Sequence, residues 1–188
     1  MKRILLTVLV AAACSGQMCG STGPNPGGNN GNGNICGRQY FDPTFHVGFN
    51  PPPGAGQPRQ GATNPAADLN RAWTWRATTP PTEFSLVVLK PVAEKTLAEF
   101  RQAWLDTFNQ SSDFTVLNES YVTLSDGAQG WYLALSPNDE QGINSEFVMT
   151  VTLGRLVYVN AVYAADYVTD AQADQIGDAL ISLCADYN

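Results

Sequence analysis

Residues 145–164 read SEFVMTVTLGRLVYVNAVYA, and this stretch decides the fold class. Two runs rich in Val, Tyr, Phe and Thr flank Gly154–Arg155. β-branched and aromatic side chains suit a pleated, half-buried surface. A two-residue connection between such runs makes a β-hairpin, and glycine at its first position suits a II′ turn. The reading is therefore an antiparallel sheet, with Gly154 opening the turn. Working outward, FTVLNESYVTLS (114–125) and AQGWYLALSP (128–137) supply two more strands. EFSLVVLKP (83–91) is apolar at consecutive positions, as in a strand covered on both faces. RAWTWRA (71–77) alternates, and places Trp73 and Trp75 on one face. PTFHVGF (43–49) reads as a first strand, followed by a long Pro/Gly loop over residues 50–66.

Two helices interrupt the strands. KTLAEFRQAWLDTF (95–108) carries Thr96 and Glu99 at the spacing of a capping box. Leu97, Phe100, Trp104 and Phe108 follow on one helical face. TDAQADQIGDALISLCA (169–185) repeats the device with Thr169 and Gln172, then aligns Ile176, Ala179, Leu180 and Leu183. The order is strands, helix, four strands, helix. That order predicts an α+β domain, an antiparallel sheet with helices packed on its faces.

The start of the chain belongs to a different kind of object. Lys2 and Arg3 precede ten apolar or small residues, Ile4–Ala13. A bilayer-crossing helix needs roughly 20 apolar residues, so the run reads as an export signal, residues 1–13. Cys14 follows directly, and AAAC resembles a bacterial lipobox, whose cysteine is acylated after cleavage. Several acyl chains anchor firmly, because each buried CH₂ contributes about 0.8 kcal/mol. Ser15 stands where inner-membrane lipoproteins commonly carry aspartate. The resemblance therefore favours an outer membrane where the cell has one. Residues 14–37 are then the lipidated cysteine and a Gly/Asn/Pro tether, too poor in apolar groups to pack. Residues 38–188 form one globular domain.

Ten Lys and Arg against 17 Asp and Glu give a formal charge of −7. Removing Lys2 and Arg3 with the leader makes it −9. Nucleic acid is excluded as a partner, since phosphate neutralisation requires clustered cations. The four cysteines are Cys14, Cys19, Cys36 and Cys184. Export permits disulfides. With Cys14 acylated, Cys36–Cys184 would join the start of the domain to its last helix, and Cys19–Cys36 is the competing pair. The first is favoured, and spacing alone leaves both open. No C-x-x-C occurs, so no metal or other cofactor is expected of these cysteines.

The early HVGFNPP, then TLAEFRQAWLDTF, FTVLNESYVTLSDGAQGWYLALS, EFVMTVTLGRLVYVNAVY and the closing amphipathic helix together resemble the PsbP/Mog-type domain. That group includes the DcrB-like and LpqN-like bacterial lipoproteins. The likeness runs over about residues 40–187. It implies an α/β/α sandwich whose relatives mostly bind or scaffold other proteins, with no shared catalytic residue to carry over.

The residues offer little to catalysis. His46 is the single imidazole and lies in a strand pattern, which suits a packing or surface histidine better than a general base. No G-x-S-x-G, H-E-x-x-H or phosphate-binding glycine loop is present. Asp139 and Glu140 lie in a polar connection without EF-hand spacing, as in a solvated hairpin tip. Asp170, Asp174 and Asp178 recur every four residues on the last helix, either a solvated stripe or an acidic contact for a basic partner. Trp73 and Trp75 are a second contact candidate. The expectation is a non-enzymatic envelope lipoprotein, anchored to membrane by its N-terminal lipid and meeting a protein partner. The alternative is a carrier of a small apolar ligand, with a pocket between sheet and helix lined by Trp73, Trp75 and Trp131.

Overall fold

The computed structural model describes residues 38–61, 69–79, 81–90, 96–139, 142–152 and 154–185. The signal, Cys14, Cys19, the tether and Cys36 lie outside them, as do residues 62–66 of the Pro/Gly loop and Glu140. The strands are β1 (Tyr40–Asp42), β2 (Val47–Phe49), β3 (Arg59–Gln60), β4 (Leu69–Thr78), β5 (Pro81–Leu89), β6 (Phe114–Thr123), β7 (Gln129–Pro137), β8 (Ile143–Thr152), β9 (Arg155–Ala164) and β10 (Cys184–Ala185). The helices are α1 (Leu97–Asn109) and α2 (Asp170–Ile181), with a 3₁₀ turn over Ala165–Tyr167.

The main sheet has seven strands in the order β3-β4-β5-β9-β8-β7-β6, antiparallel throughout. Helices pack on both faces, as the sequence predicts. The β8–β9 hairpin is in register from Ile143 opposite Ala164 to Thr152 opposite Arg155. That register corrects the expected turn. Gly154 takes the second turn position, at φ +69°, rather than the first, so the turn is not of type II′.

Both capping boxes form. Thr96 accepts from the Glu99 amide while the Glu99 carboxylate accepts from the Thr96 amide at 2.9 Å. Thr169 and Gln172 do the same at α2. The period-two pattern of β5 divides its side chains between two cores. Phe84, Leu86 and Val88 face one core and Val87 and Leu89 the other. The first core lies under α2 and holds Phe49, Trp73, Trp75, Val159 and Leu180. The second lies under α1 and holds Phe100, Trp104, Phe108, Trp131, Phe147 and Tyr158. Trp104 forms its centre, with edge contacts to Phe108, Trp131, Phe147 and Tyr158 at centroid distances of 5.7–6.4 Å.

Three features depart from the sequence reading. The expected first strand over 43–49 is only Val47–Phe49. A turn precedes it, pinned by Asp42, whose Oδ1 accepts from the Thr44 and Phe45 amides. The Pro/Gly loop contributes the short edge strand β3 rather than being wholly irregular. Cys184 does not end the last helix but lies in β10, which pairs with β2 as the third strand of a small sheet, β1-β2-β10. This small sheet lies beside α2 on the first core.

Candidate functional site

Of the residues singled out, the tryptophans move furthest from expectation. Trp73 and Trp75 are 5% and 1% exposed, so they are core and not a contact patch. Their strand is covered rather than open, by β3 along its outer edge and by the small sheet across its face. Tyr40 packs on both rings at 5.6 and 4.9 Å, and Phe49 meets Trp75 at 4.7 Å. Trp131 lies in the opposite core. The three tryptophans therefore cannot line one pocket, and this corrects the carrier reading. A cavity of about 10 Å³ does lie between α2 and the sheet, beside Thr82, Phe84 and Ile176. It has room for one water and not for a ligand.

Asp170, Asp174 and Asp178 are all exposed, as a solvated stripe along α2 should be. Asp166 and the 76% exposed Tyr167 precede them. His46 is exposed, adopts φ +55° in the β1–β2 turn, and meets the Phe41 ring edge-on at 6.5 Å. Asp139 is exposed in the β7–β8 connection. Cys184 is buried opposite Gly48 and is not a free thiol. Its favoured partner, Cys36, and Cys19 of the competing Cys19–Cys36 bridge both lie outside the described residues.

The described surface feature with most built structure is one the sequence did not mark. Strand β6 is the outer strand of the main sheet, ten residues long, with its backbone edge unpaired in the sheet order. A register shift between Val116 and Asn118 places Leu117 out of the pleat, 52% exposed. Beyond it, Glu119 and Tyr121 are two residues apart and share the α1 face. Glu119 Oε2 accepts from Arg101 Nε of α1 at 3.0 Å and from Trp131 Nε1 of β7 at 2.9 Å. Arg101 Nη2 donates to the second oxygen. The Arg101 guanidinium also stands 5.7 Å from the centroid of the Tyr121 ring. Tyr121 is 47% exposed. The hydrogen bond from Arg101, and then that from Trp131, holds the Glu119 carboxyl below the usual carboxylate range. Glu119 is thus a fixed anion that orients an arginine, which in turn supports an outward-facing tyrosine. As an acceptor ionised at neutral pH and held by three donors, it is suited to positioning rather than to proton transfer.

A second polar group lies on the α2 side. Tyr163 donates to Glu146, and Tyr132 also bonds to that carboxylate. Burial, reinforced by Glu146, pushes the Tyr163 hydroxyl up to about 12. Tyr132 is raised further for the same reasons. Both hydroxyls are neutral donors near pH 7, satisfying a carboxylate among partly buried neighbours.

No family model matches the chain, and no curated protein matches it. Among solved structures it is similar to the solution structure of cyanobacterial PsbP (CyanoP) from Synechocystis. That match has TM-score 0.56 and 15% identity, and covers 90% of this chain and 98% of that one. A Mog1 variant matches at TM-score 0.37 and 13% identity over 73% of this chain and 80% of that one. A protein of Bacteroides thetaiotaomicron matches at TM-score 0.39 and 11% identity, over 78% and 47%. The likeness to CyanoP shows the fold, a PsbP-type antiparallel sheet flanked by helices.

Proposed function

We propose that this protein is a non-enzymatic interaction domain of the bacterial envelope, held at a membrane by acylated Cys14 and presenting the outer edge of β6 to a protein partner. One observation carries the contact surface. A ten-residue outer strand bears two of the large apolar side chains left exposed, Leu117 and Tyr121, and Tyr121 is supported by the Arg101–Glu119–Trp131 chain of contacts. Unpaired edge groups accept an added strand through main-chain hydrogen bonds, and flanking side chains give such pairing its selectivity. The Leu117 bulge limits open-ended self-pairing of the kind that leads to aggregation. The acidic stripe of α2 adds a field that favours partners of opposite charge.

The anchor reading is supported by the export signal and AAAC junction described above. A Cys36–Cys184 bridge is supported by the state of Cys184, which is buried in β10 and is not a free thiol. Arg38 Cβ lies 3.3 Å from where a side-chain carbon on Gly48 would stand, and Gly48 pairs with Cys184. Residue 36 is two positions upstream, a reach of about 7 Å.

The test is site-specific photocrosslinking in native envelopes, with the probe at position 121, at position 174 and at Arg59 as a control. Adducts at 121 well above those at 59 support the edge, and adducts confined to 174 move the surface to α2. Adducts at neither position, in cells where Cys14→Ser releases the protein from membranes, would overturn the interaction reading while leaving the anchor intact.

A further inference from the structure

Two arginines at one corner of the main sheet share a single aromatic ring. Arg71 is the third residue of β4 and Arg155 opens β9, with β5 between them. Val88 of β5 pairs with Arg71 on one side and with Val157 on the other. Arg155 is two residues from Val157, and so lies on the same face as Arg71. Phe45, from the turn between β1 and β2, reaches over this corner. Its ring centroid is 5.9 Å from the Arg71 guanidinium carbon and 5.8 Å from that of Arg155. Trp73 supports the same ring edge-on at 6.3 Å.

A guanidinium set on an aromatic ring by its flat side keeps its in-plane N–H groups for other partners. Among the described residues the Nε atoms of both arginines are buried and lack an acceptor. The described ion pairs are Arg76–Glu83 and Arg101–Glu119, neither of them at this corner. The nearest carboxylate in the chain order of the turn, Asp42, accepts through Oδ1 from the Thr44 and Phe45 amides, which fixes the turn that carries the ring. Acidic residues outnumber basic ones by 17 to 10. Two half-buried cations of like charge gathered on one ring, with no ion pair to either among the described residues, are an arrangement an anion completes.

We infer that Arg71 and Arg155, held on Phe45, form a binding site for a phosphate group. A carboxylate presents two oxygens in one plane, which match a single arginine fork best. A phosphate presents oxygens in several directions, and two guanidiniums from separate strands can each engage it. The same chemistry is offered by free phosphate and by the headgroup of an anionic phospholipid.

The experiment uses the full chain carrying Cys14→Ser, so that an acyl anchor does not contribute. Inorganic phosphate is titrated calorimetrically against chloride at matched ionic strength. In parallel, phosphatidylglycerol and phosphatidylcholine vesicles are tested by co-sedimentation. Saturable binding of phosphate, or of phosphatidylglycerol but not phosphatidylcholine vesicles, supports the site, and the responding arm names the source. Arg71→Gln and Arg155→Gln, each verified as folded by near-UV circular dichroism, should weaken the response tenfold or more. Arg59→Gln, on exposed β3, should leave it unchanged. Absence of binding in both arms, or equal loss in Arg59→Gln, would overturn the assignment. So would binding unaltered by both corner substitutions.

Discussion

Replacing Glu119 tests the positioning role assigned to it. Trp131 is fully buried, and its indole N–H donates to Glu119. Glu119→Leu removes that acceptor, and an orphaned buried donor costs about 1–3 kcal/mol. The same change removes the ion pair with Arg101, whose two side chains are 27% and 29% exposed. Solvent screening limits a pair so placed to about 0.5–1 kcal/mol. Glu119→Gln separates the two effects, because its amide oxygen still accepts from Trp131 while the charge is gone. The leucine variant should therefore lose about 2–4 kcal/mol and the glutamine variant about 1. In a domain of this size each kcal/mol lowers Tm by about 2–4 °C. Thermal unfolding followed by near-UV circular dichroism should show a leucine variant melting well below the glutamine one. Equal melting temperatures would refute the claim that the indole bond, rather than the surface pair, stabilises this corner.

Three further outcomes follow from the same coordinates. Gly48→Ala would set a carbon 2.5 Å from the Tyr40 carbonyl oxygen, so β1 must separate from β2; a loss of about 1–3 kcal/mol is expected in denaturant unfolding. Trp104→Ala, at the centre of the α1 core, should cost about 3–5 kcal/mol in the same assay, and a value below that of Gly48→Ala would show that α1 docks by other contacts. Tyr163 has a folded pKa of about 12, above its ordinary value of 10. A raised folded value means that stabilisation is complete below pH 10 and declines as pH climbs from 10 towards 12. Tyr163→Phe should flatten that alkaline decline, as measured by urea midpoints from pH 8 to 11.

The local parts of this fold were legible in the sequence because their signals are local. Thr96 and Glu99 are three residues apart, and the bonds they make span that distance. The β8–β9 hairpin was visible for the same reason, although glycine fits either turn position and its place was misjudged by one. Nothing in RAWTWRA specifies what will cover it. Burial of Trp73 and Trp75 depends on Tyr40 and Phe49, which come from a small sheet completed by two residues at the other end of the chain. β10 has no pattern of its own at that length, and Cys184 was accordingly read as helix. The β6 site was missed for a related reason. Arg101, Glu119 and Trp131 belong to three elements, and no spacing unites them. A sequence signal did exist in the alternation of Glu119 and Tyr121, but it reads equally as an ordinary polar strand face.

The small sheet has a practical consequence. β1 and β10 flank β2 on either side, so strands from near the two ends of the described residues lie about 10 Å apart, two strand spacings. Because β1 and β10 both run antiparallel to β2, Tyr40 opens the small sheet beside Phe49 while Ala185 closes it beside Val47, at the opposite end. Phe45, just before Val47, reaches Arg155 at the β8–β9 turn, so a label inserted in that turn would report on the same side of the domain as the end of β10.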